Sequence, residues 1–145
     1  MFCKNKYTIF LFLIIALSGY CQQTDTTSIN LKIRKADKML EQNTDSALNI
    51  IRQTFSLSKK TRYVYGFAKS NLQMVRYYML KGQNDSASLF TPEAIKFSRI
   101  SKDTALIINA YLLSSRALSS ALQYNKALEL CLQAQRFAES NKNNK

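Results

Sequence analysis

The feature that most constrains the fold of this chain is a periodicity of 40 residues in its small and large apolar positions. Ala47, Ala87 and Ala127 follow one another at this spacing, and the dipeptide Asp-Ser precedes the first two of them. The register continues downstream, where Ala94 and Ala134 are again 40 residues apart. A fixed period of roughly 20 to 50 residues is the signature of stacked structural units. The sequence therefore predicts a small repeat protein.

Apolar residues within each repeat follow the spacing of an α-helix. In the third repeat they stand at offsets 0, 3, 4, 7, 10 and 11 from the alanine, as Ala127, Leu130, Cys131, Ala134, Phe137 and Ala138. A second stripe precedes each alanine, and in the middle repeat it comprises Ala68, Leu72, Val75 and Met79. Two stripes per repeat indicate two helices. The chain has only 3 Gly and 1 Pro, which suits long helices joined by short turns. We therefore predict an all-α array of three antiparallel helix pairs, with about six helices.

Four residues mark expected helix ends. Asp45 and Asp85 are predicted to cap helix N-termini, because a carboxylate there accepts hydrogen bonds from free backbone N–H groups. Asp103, followed by Thr104, is predicted to open the fifth helix. Gly82 is predicted to end the helix before it in the left-handed conformation that helix C-termini often use.

Pro92 falls inside the fourth helix by repeat register, where its missing N–H group and its ring oppose a continuous helix. We expect a bend near Phe90, or a restart of the helix with Thr91 as its cap and Pro92 at its first position.

These helix pairs resemble tetratricopeptide repeats over residues 28–140. Counted back from the alanine, the family motif places an aromatic residue three before, a glycine five before, an aromatic nine before, a small residue twelve before and a large one thirteen before. The last repeat matches with Tyr124 and with the small Ser115, and the middle repeat matches with Gly82, Tyr78 and Met74. The family period is about 34 residues. The longer period here is similar to that in sensor regions of Bacteroidetes-type histidine kinases and response regulators. HEAT repeats, whose period is near 40, are the structural alternative.

The resemblance implies a right-handed superhelical solenoid with a partner groove lined by the first helix of each pair. Carried over to this chain, the groove positions are Lys69, Leu72, Arg76, Met79, Asn109, Leu112, Arg116 and Ser119. Arg76 and Arg116 lie one repeat apart and are placed to bind carboxylates of an extended peptide. The carboxylate-clamp subfamily has polar residues where Leu72 and Leu112 stand, so an acidic C-terminal tail is not the favoured ligand. The other interpretation of the two arginines is that they are merely solvated.

The first 21 residues are interpreted as an export signal. Lys4 and Lys6 precede an apolar run over residues 9–17, and small residues follow at Ser18 and Gly19. This run is short for a transmembrane span. Cleavage after Cys21 is expected, which gives a periplasmic or envelope-associated protein. The alternatives are an uncleaved membrane anchor and a lipoprotein attached through Cys21.

Composition argues against catalysis. There is no His, and the mature chain keeps a single thiol, Cys131, which is interpreted as a small buried apolar residue. No cofactor or metal site is predicted.

The net charge of +12 usually favours anionic partners, but export argues against nucleic acid. We expect a protein-binding adaptor. The alternatives are a sensory fragment of a signalling system without an output domain, and a basic protein at a membrane surface.

The expected organisation is a signal peptide at 1–21, a linker at 22–27, repeats at 28–60, 61–100 and 101–140, and a polar tail at 141–145. The first helix is polar on its outer face and is interpreted as a cap. No matching cap follows the third repeat. The open end near Ala134 and Phe137 is therefore a second candidate surface, for a homodimer or another partner.

Overall fold

The computed structural model describes residues 26–143, and within that range it contains six α-helices and no strand. The helices are α1 (26–42), α2 (Thr44–Lys60), α3 (Val64–Leu80), α4 (Asn84–Ser101), α5 (Thr104–Ser120) and α6 (Tyr124–Asn143). Successive helices are antiparallel because the turns between them have one to three residues. The predicted all-α helical-repeat solenoid is confirmed.

The core lies between the two helices of each pair and between neighbouring pairs. α3 packs against α2 and α4 and also against α5, the first helix of the following pair. One buried cluster joins Ala36 and Leu40 of α1 to Ala47 of α2 and to Met74 of α3. The repeat-defining residues Ala47, Ala87, Ala94, Ala127 and Ala134 are all buried. Residues without bulk at these positions let the helix axes approach closely, so that the larger side chains between them interdigitate.

The four turns after α2, α3, α4 and α5 share one backbone conformation. Each has a residue with positive φ, at Arg62 (54°), Gly82 (69°), Lys102 (59°) and Leu122 (60°). These residues are 20 apart, so the 40-residue repeat is built from two halves of equal length. The left-handed residue predicted at Gly82 is confirmed. At the other three turns an L-residue carries the steric cost of that conformation.

The N-terminal ends of two helices differ from the prediction. The cap of α2 is Asn43, whose side chain accepts a hydrogen bond from the Ser46 backbone N–H, and the cap of α4 is Gln83. Asp45 and Asp85 lie inside the first turn instead. Their carboxylates interact favourably with the positive end of the helix dipole, but they do not cap the helix. Asp103 caps α5 as predicted, through a 2.7 Å bond from the Leu106 N–H.

Pro92 lies inside α4, and the helix continues through it from Asn84 to Ser101. The restart, which was the alternative to a bend near Phe90, does not occur, and Thr91 does not cap a new segment. Pro92 cannot donate to the carbonyl of Ser88, four residues earlier. The Thr91 hydroxyl donates to that same Ser88 oxygen at 2.9 Å. A neighbouring side chain therefore replaces the hydrogen bond that the proline removes, which is one reason why the helix does not break here.

Two boundaries of the sequence-based division also move. Residues 26 and 27, assigned to a linker, already belong to α1, and residues 141–143 of the expected tail extend α6. Polar residues in the first or last turn add backbone hydrogen bonds without adding an apolar position, so periodicity does not detect them. The expected signal peptide at 1–21 lies outside the described residues. Across 26–143, no helix is long and apolar enough to cross a membrane.

Gly66 lies where α3 closely approaches the first repeat. A methyl group at this position would lie 2.5 Å from the Ser58 Oγ, 2.6 Å from the Tyr63 ring and 2.9 Å from the Ile29 side chain. Contacts this short on three sides leave no direction in which the methyl group fits without moving a neighbour.

Gly66→Ala is expected to lower the free energy of unfolding by about 1–3 kcal/mol through overpacking. The helix propensity of alanine, about 1 kcal/mol better than glycine, opposes this loss only in part. Urea unfolding followed by circular dichroism measures the change. Asn49→Ala, at an exposed position of α2, is the control and should leave stability unchanged or raised. Equal stability of Gly66→Ala and the wild type would contradict the close approach.

Lys102→Gly is expected to raise the free energy of unfolding by about 0.5–1 kcal/mol, because it removes the left-handed strain of an L-residue. Thermal and urea unfolding measure the gain. Arg52→Gly, in the middle of α2, is the matched control and should cost about 1 kcal/mol. A loss of stability in both variants would show that Lys102 is not strained.

Candidate functional site

A cleft of about 470 Å³ opens along the surface where the first helices of the three pairs, α1, α3 and α5, lie side by side. Each helix contributes to its lining, and the residues are Asp37, Glu41, Lys69, Leu72, Gln73, Arg76, Asn109, Leu113 and Arg116. The lining is mainly polar or charged, in contrast to the apolar contacts between the helices beneath it. The fold therefore gathers charged groups from three repeats into one surface.

Gln73 of α3 is the buried polar group of this cleft, with 2% of its surface exposed. Its Nε2 donates to the Ile33 carbonyl and to Asp37 Oδ1, both at 2.9 Å, and so joins α3 to α1. These two bonds fix the orientation of the side-chain amide. Its Oε1 is buried and accepts no hydrogen bond from the described residues. A buried acceptor without a donor carries a desolvation cost, and this oxygen has no surface exposed to the cleft, so Gln73 acts as a structural link between α3 and α1.

The charges of the cleft are divided between its two sides. Asp37 and Glu41 stand on α1, and the cations Lys69, Arg76 and Arg116 stand on α3 and α5. Arg76 pairs with Glu41 across the cleft at 3.2 Å. Within residues 26–142, Lys69 and Arg116 form no ion pair. Two cations thus remain able to pair with carboxylates of a partner, whereas Arg76 is already engaged.

Five of the eight groove residues expected from the sequence line this cleft: Lys69, Leu72, Arg76, Asn109 and Arg116. Leu72 is buried and offers little surface. The other three do not line it. Met79 packs against a cluster formed by Val75, Ala87 and Ala117, while Leu112 and Ser119 are exposed outside the cleft.

Sequence reasoning missed Asp37, Glu41, Gln73 and Leu113. Gln73 and Leu113 are one repeat apart, each 14 residues before its alanine, so a groove register extended to that position would have found both. Asp37 and Glu41 belong to α1, which the sequence identifies only as a cap. Repeat register alone does not show that a cap also lines the cleft.

Cys131 does not have the buried position expected from its apolar stripe. The residue is exposed, and its Sγ lies 2.9 Å from the Ser115 Oγ. The corresponding residues of the first two repeats, Ile51 and Thr91, are buried. Those two are covered by the following helix pair, and α6 has no such neighbour among the described helices.

A second depression, of about 490 Å³, lies between α4 and α6. Several of its polar groups already have partners in the chain, such as Thr91 with the Ser88 carbonyl and Lys126 with Gln123 at 3.1 Å. It has no buried unpaired polar group comparable to Gln73 among the described side chains. The α1–α3–α5 cleft is therefore the better candidate for specific recognition.

No three His, Cys, Asp or Glu side chains in the described part of the chain lie together in an arrangement that could hold a metal ion. Comparisons with known proteins add no assignment: no protein-family description matches the sequence, and neither the curated proteins nor the solved structures include a significant match. The candidate function is therefore argued from the cleft itself.

Proposed function

We propose that this protein is a non-catalytic adaptor, similar to tetratricopeptide-repeat proteins, that binds an extended segment of a partner protein in the α1–α3–α5 cleft. The proposal includes export to the cell envelope, as the N-terminal sequence predicts. The observation that carries it is that one cleft, lined by three repeats, places the carboxylates of α1 opposite two cations, Lys69 and Arg116, which form no ion pair within residues 26–142.

An extended peptide offers the groups that complement this combination. Its backbone presents N–H and C=O groups at regular intervals, and these can form hydrogen bonds with exposed polar side chains of the cleft such as Asn109. Its acidic side chains can pair with Lys69 and with the planar guanidinium of Arg116. The carboxylates of α1 favour a cationic or neutral residue of the peptide on their own side of the cleft, opposite to the side that binds its acidic residues. The expected ligand therefore has acidic and basic positions in a fixed order.

The arrangement does not favour hydrolysis or group transfer. The sequence has no His to act as a general base near neutral pH, and the cleft lining contains no Ser, Thr or Cys nucleophile. Burial raises the pKa of the nearby Tyr65 hydroxyl, and Asp103, Tyr63 and Asp37 add to the shift. That hydroxyl therefore stays protonated at neutral pH and is a hydrogen-bonding group, not a base.

The test is a screen of fluorescently labelled peptides with defined orders of acidic and basic residues, read by anisotropy. For a peptide that binds, the double variant Lys69→Glu and Arg116→Glu is expected to weaken affinity at least ~10-fold, which corresponds to roughly 1.4 kcal/mol.

The matched control is the double variant Arg52→Glu and Arg99→Glu, which changes the net charge equally at exposed positions outside the cleft. It should bind peptide nearly as the wild type does. Equal losses in the cleft and control variants would show that net charge, and not the cleft, attracts the peptide. Raised salt should weaken the wild type but not abolish binding, because part of the contact is an uncharged hydrogen bond.

A further inference from the structure

Basic side chains form a row along one edge of the array. Alternate helices run parallel, so α2, α4 and α6 all end at this edge, where the α2–α3 and α4–α5 turns also lie. Arg62, Lys102 and Lys142 follow one another at the 40-residue period, so each repeat contributes one of them. We call this surface the basic edge and define it by exposed residues that carry a positive charge: Lys59, Lys60, Arg62, Arg99, Lys102 and Lys142.

The helix dipole does not account for this row. It favours cations at the C-terminal end of every helix. However, α3 and α5, which end at the opposite edge, have no basic residue in their last turns. Lys81, which follows α3 there, already pairs with Asp45. The row is therefore particular to one edge and is not a general property of the helix ends in this fold.

The cations of the basic edge are not neutralised by neighbouring acidic residues. Within residues 26–142, none of them forms an ion pair. The acidic residues Asp103 and Glu139 lie near them but have other partners. Asp103 accepts a hydrogen bond from the Leu106 N–H, and Glu139 accepts one from the Gln135 side chain at 2.9 Å. A row of unpaired cations creates a positive potential that attracts an anionic partner.

The basic edge also has an apolar component. A cavity of about 260 Å³ lies between the ends of α2 and α4 and the start of α3, and Lys59 and Arg62 belong to its lining. Its apolar lining is supplied by Tyr63, Val64, Phe67 and Phe97. Ile100, which follows Arg99 in α4, is 52% exposed. Cations and apolar groups therefore lie together on the same surface.

We propose that the basic edge binds the surface of a membrane that contains anionic phospholipids. Arg62, Lys102 and Lys142 pair with headgroup phosphates, because each cation close to a negatively charged lipid surface adds to the attraction. Ile100 and the cavity contact the hydrocarbon next to the headgroups. Nucleic acids and acidic polysaccharides offer charge alone, whereas a phospholipid offers both kinds of group that this surface complements.

This inference goes beyond the proposed adaptor function and does not depend on it. The α1–α3–α5 cleft is lined by none of the residues that define the basic edge. A protein bound to a membrane through the basic edge therefore keeps its cleft open to a partner. Because this surface is made of residues 59–142, binding through it does not require the expected signal peptide.

The experiment is co-sedimentation with lipid vesicles of the form that begins at Gln22, which keeps every described residue, and of the full chain in parallel. Vesicles of phosphatidylcholine with about one third phosphatidylglycerol are expected to bind both forms, and the Gln22 form is expected to bind pure phosphatidylcholine at least ~10-fold less. Raised salt should weaken binding to the anionic vesicles, because it screens the exposed cations.

The double variant Arg62→Glu and Lys102→Glu is expected to bind the anionic vesicles at least ~10-fold less than the wild type. Lys59→Glu with Arg99→Glu is a second variant of the same edge, in the last turns of α2 and α4, and should lose binding likewise. The matched control is Arg52→Glu with Lys126→Glu, which reverses the same number of exposed charges away from the basic edge and should bind as the wild type does. Circular dichroism should be unchanged in all three.

A second measurement localises the contact. The sequence has no Trp, so Ile100→Trp introduces a single fluorescent reporter at the basic edge. Its emission is expected to shift to shorter wavelength with anionic vesicles, because indole rings settle at the membrane interface. Leu89→Trp is the matched control on the same helix, since Leu89 is 77% exposed but lies outside the basic edge. Its emission should not change.

Four results would each overturn the proposal. They are equal binding of the Gln22 form to neutral and anionic vesicles, equal losses in the edge and control double variants, binding seen only with residues 1–21 present, and an emission shift for Ile100→Trp no larger than that for Leu89→Trp. The adaptor function fails or stands separately, because Arg62→Glu with Lys102→Glu leaves the cleft residues unchanged and should bind peptide as the wild type does.

Discussion

The close approach of helices through small buried residues is the constraint on which the rest of this structure depends. Ala47, Ala87 and Ala94 have no exposed surface, and Gly66 leaves no room for a methyl group. Where the backbones approach this closely, the larger side chains on either side are forced together and lose their contact with water. The 40-residue period follows from this requirement, because each helix pair must present the same small residues to the next pair.

Serine and threonine occupy some of these positions instead of alanine, and most of their hydroxyl groups form a hydrogen bond within their own helix. Thr54 donates to the Ile50 carbonyl and Ser98 to the Ala94 carbonyl, each four residues earlier at 2.7 Å. A hydroxyl bound in this way is buried without an unpaired donor, so it serves almost as well as a methyl group. Ser58, one repeat before Ser98, has no such partner, and its Oγ faces Gly66 instead. The close contact of Ser58 with Gly66 is thus also a place where a buried polar group forms no hydrogen bond within the described residues.

The sequence predicted the parts of this structure that repeat and missed those that depend on neighbours. Helix number, repeat register, the turn at Gly82 and the cap at Asp103 are local features, so a single chain reveals them. The caps were wrongly assigned to Asp45 and Asp85, because the sequence signal locates the first turn of a helix but does not identify the residue at which the helix begins. Pro92 does not break its helix, and one reason is the hydroxyl of Thr91, which replaces the lost hydrogen bond to Ser88 and which the rule for proline does not include.

The ends of the array show most clearly why periodicity alone does not determine a site. Residues 15 before the alanine were predicted to line a groove, yet Leu72 is core and Leu112 is open surface. Both belong to the same stripe of the same repeat pattern, and what differs is whether another helix pair follows. Gln73 shows the reverse case, since its bonds to Ile33 and Asp37 exist because α1 precedes α3. The second helix pair, with a neighbour on each side, is therefore where the cleft has its buried polar group, whereas the third pair has apolar residues such as Leu112 and Leu128 that no other described helix covers.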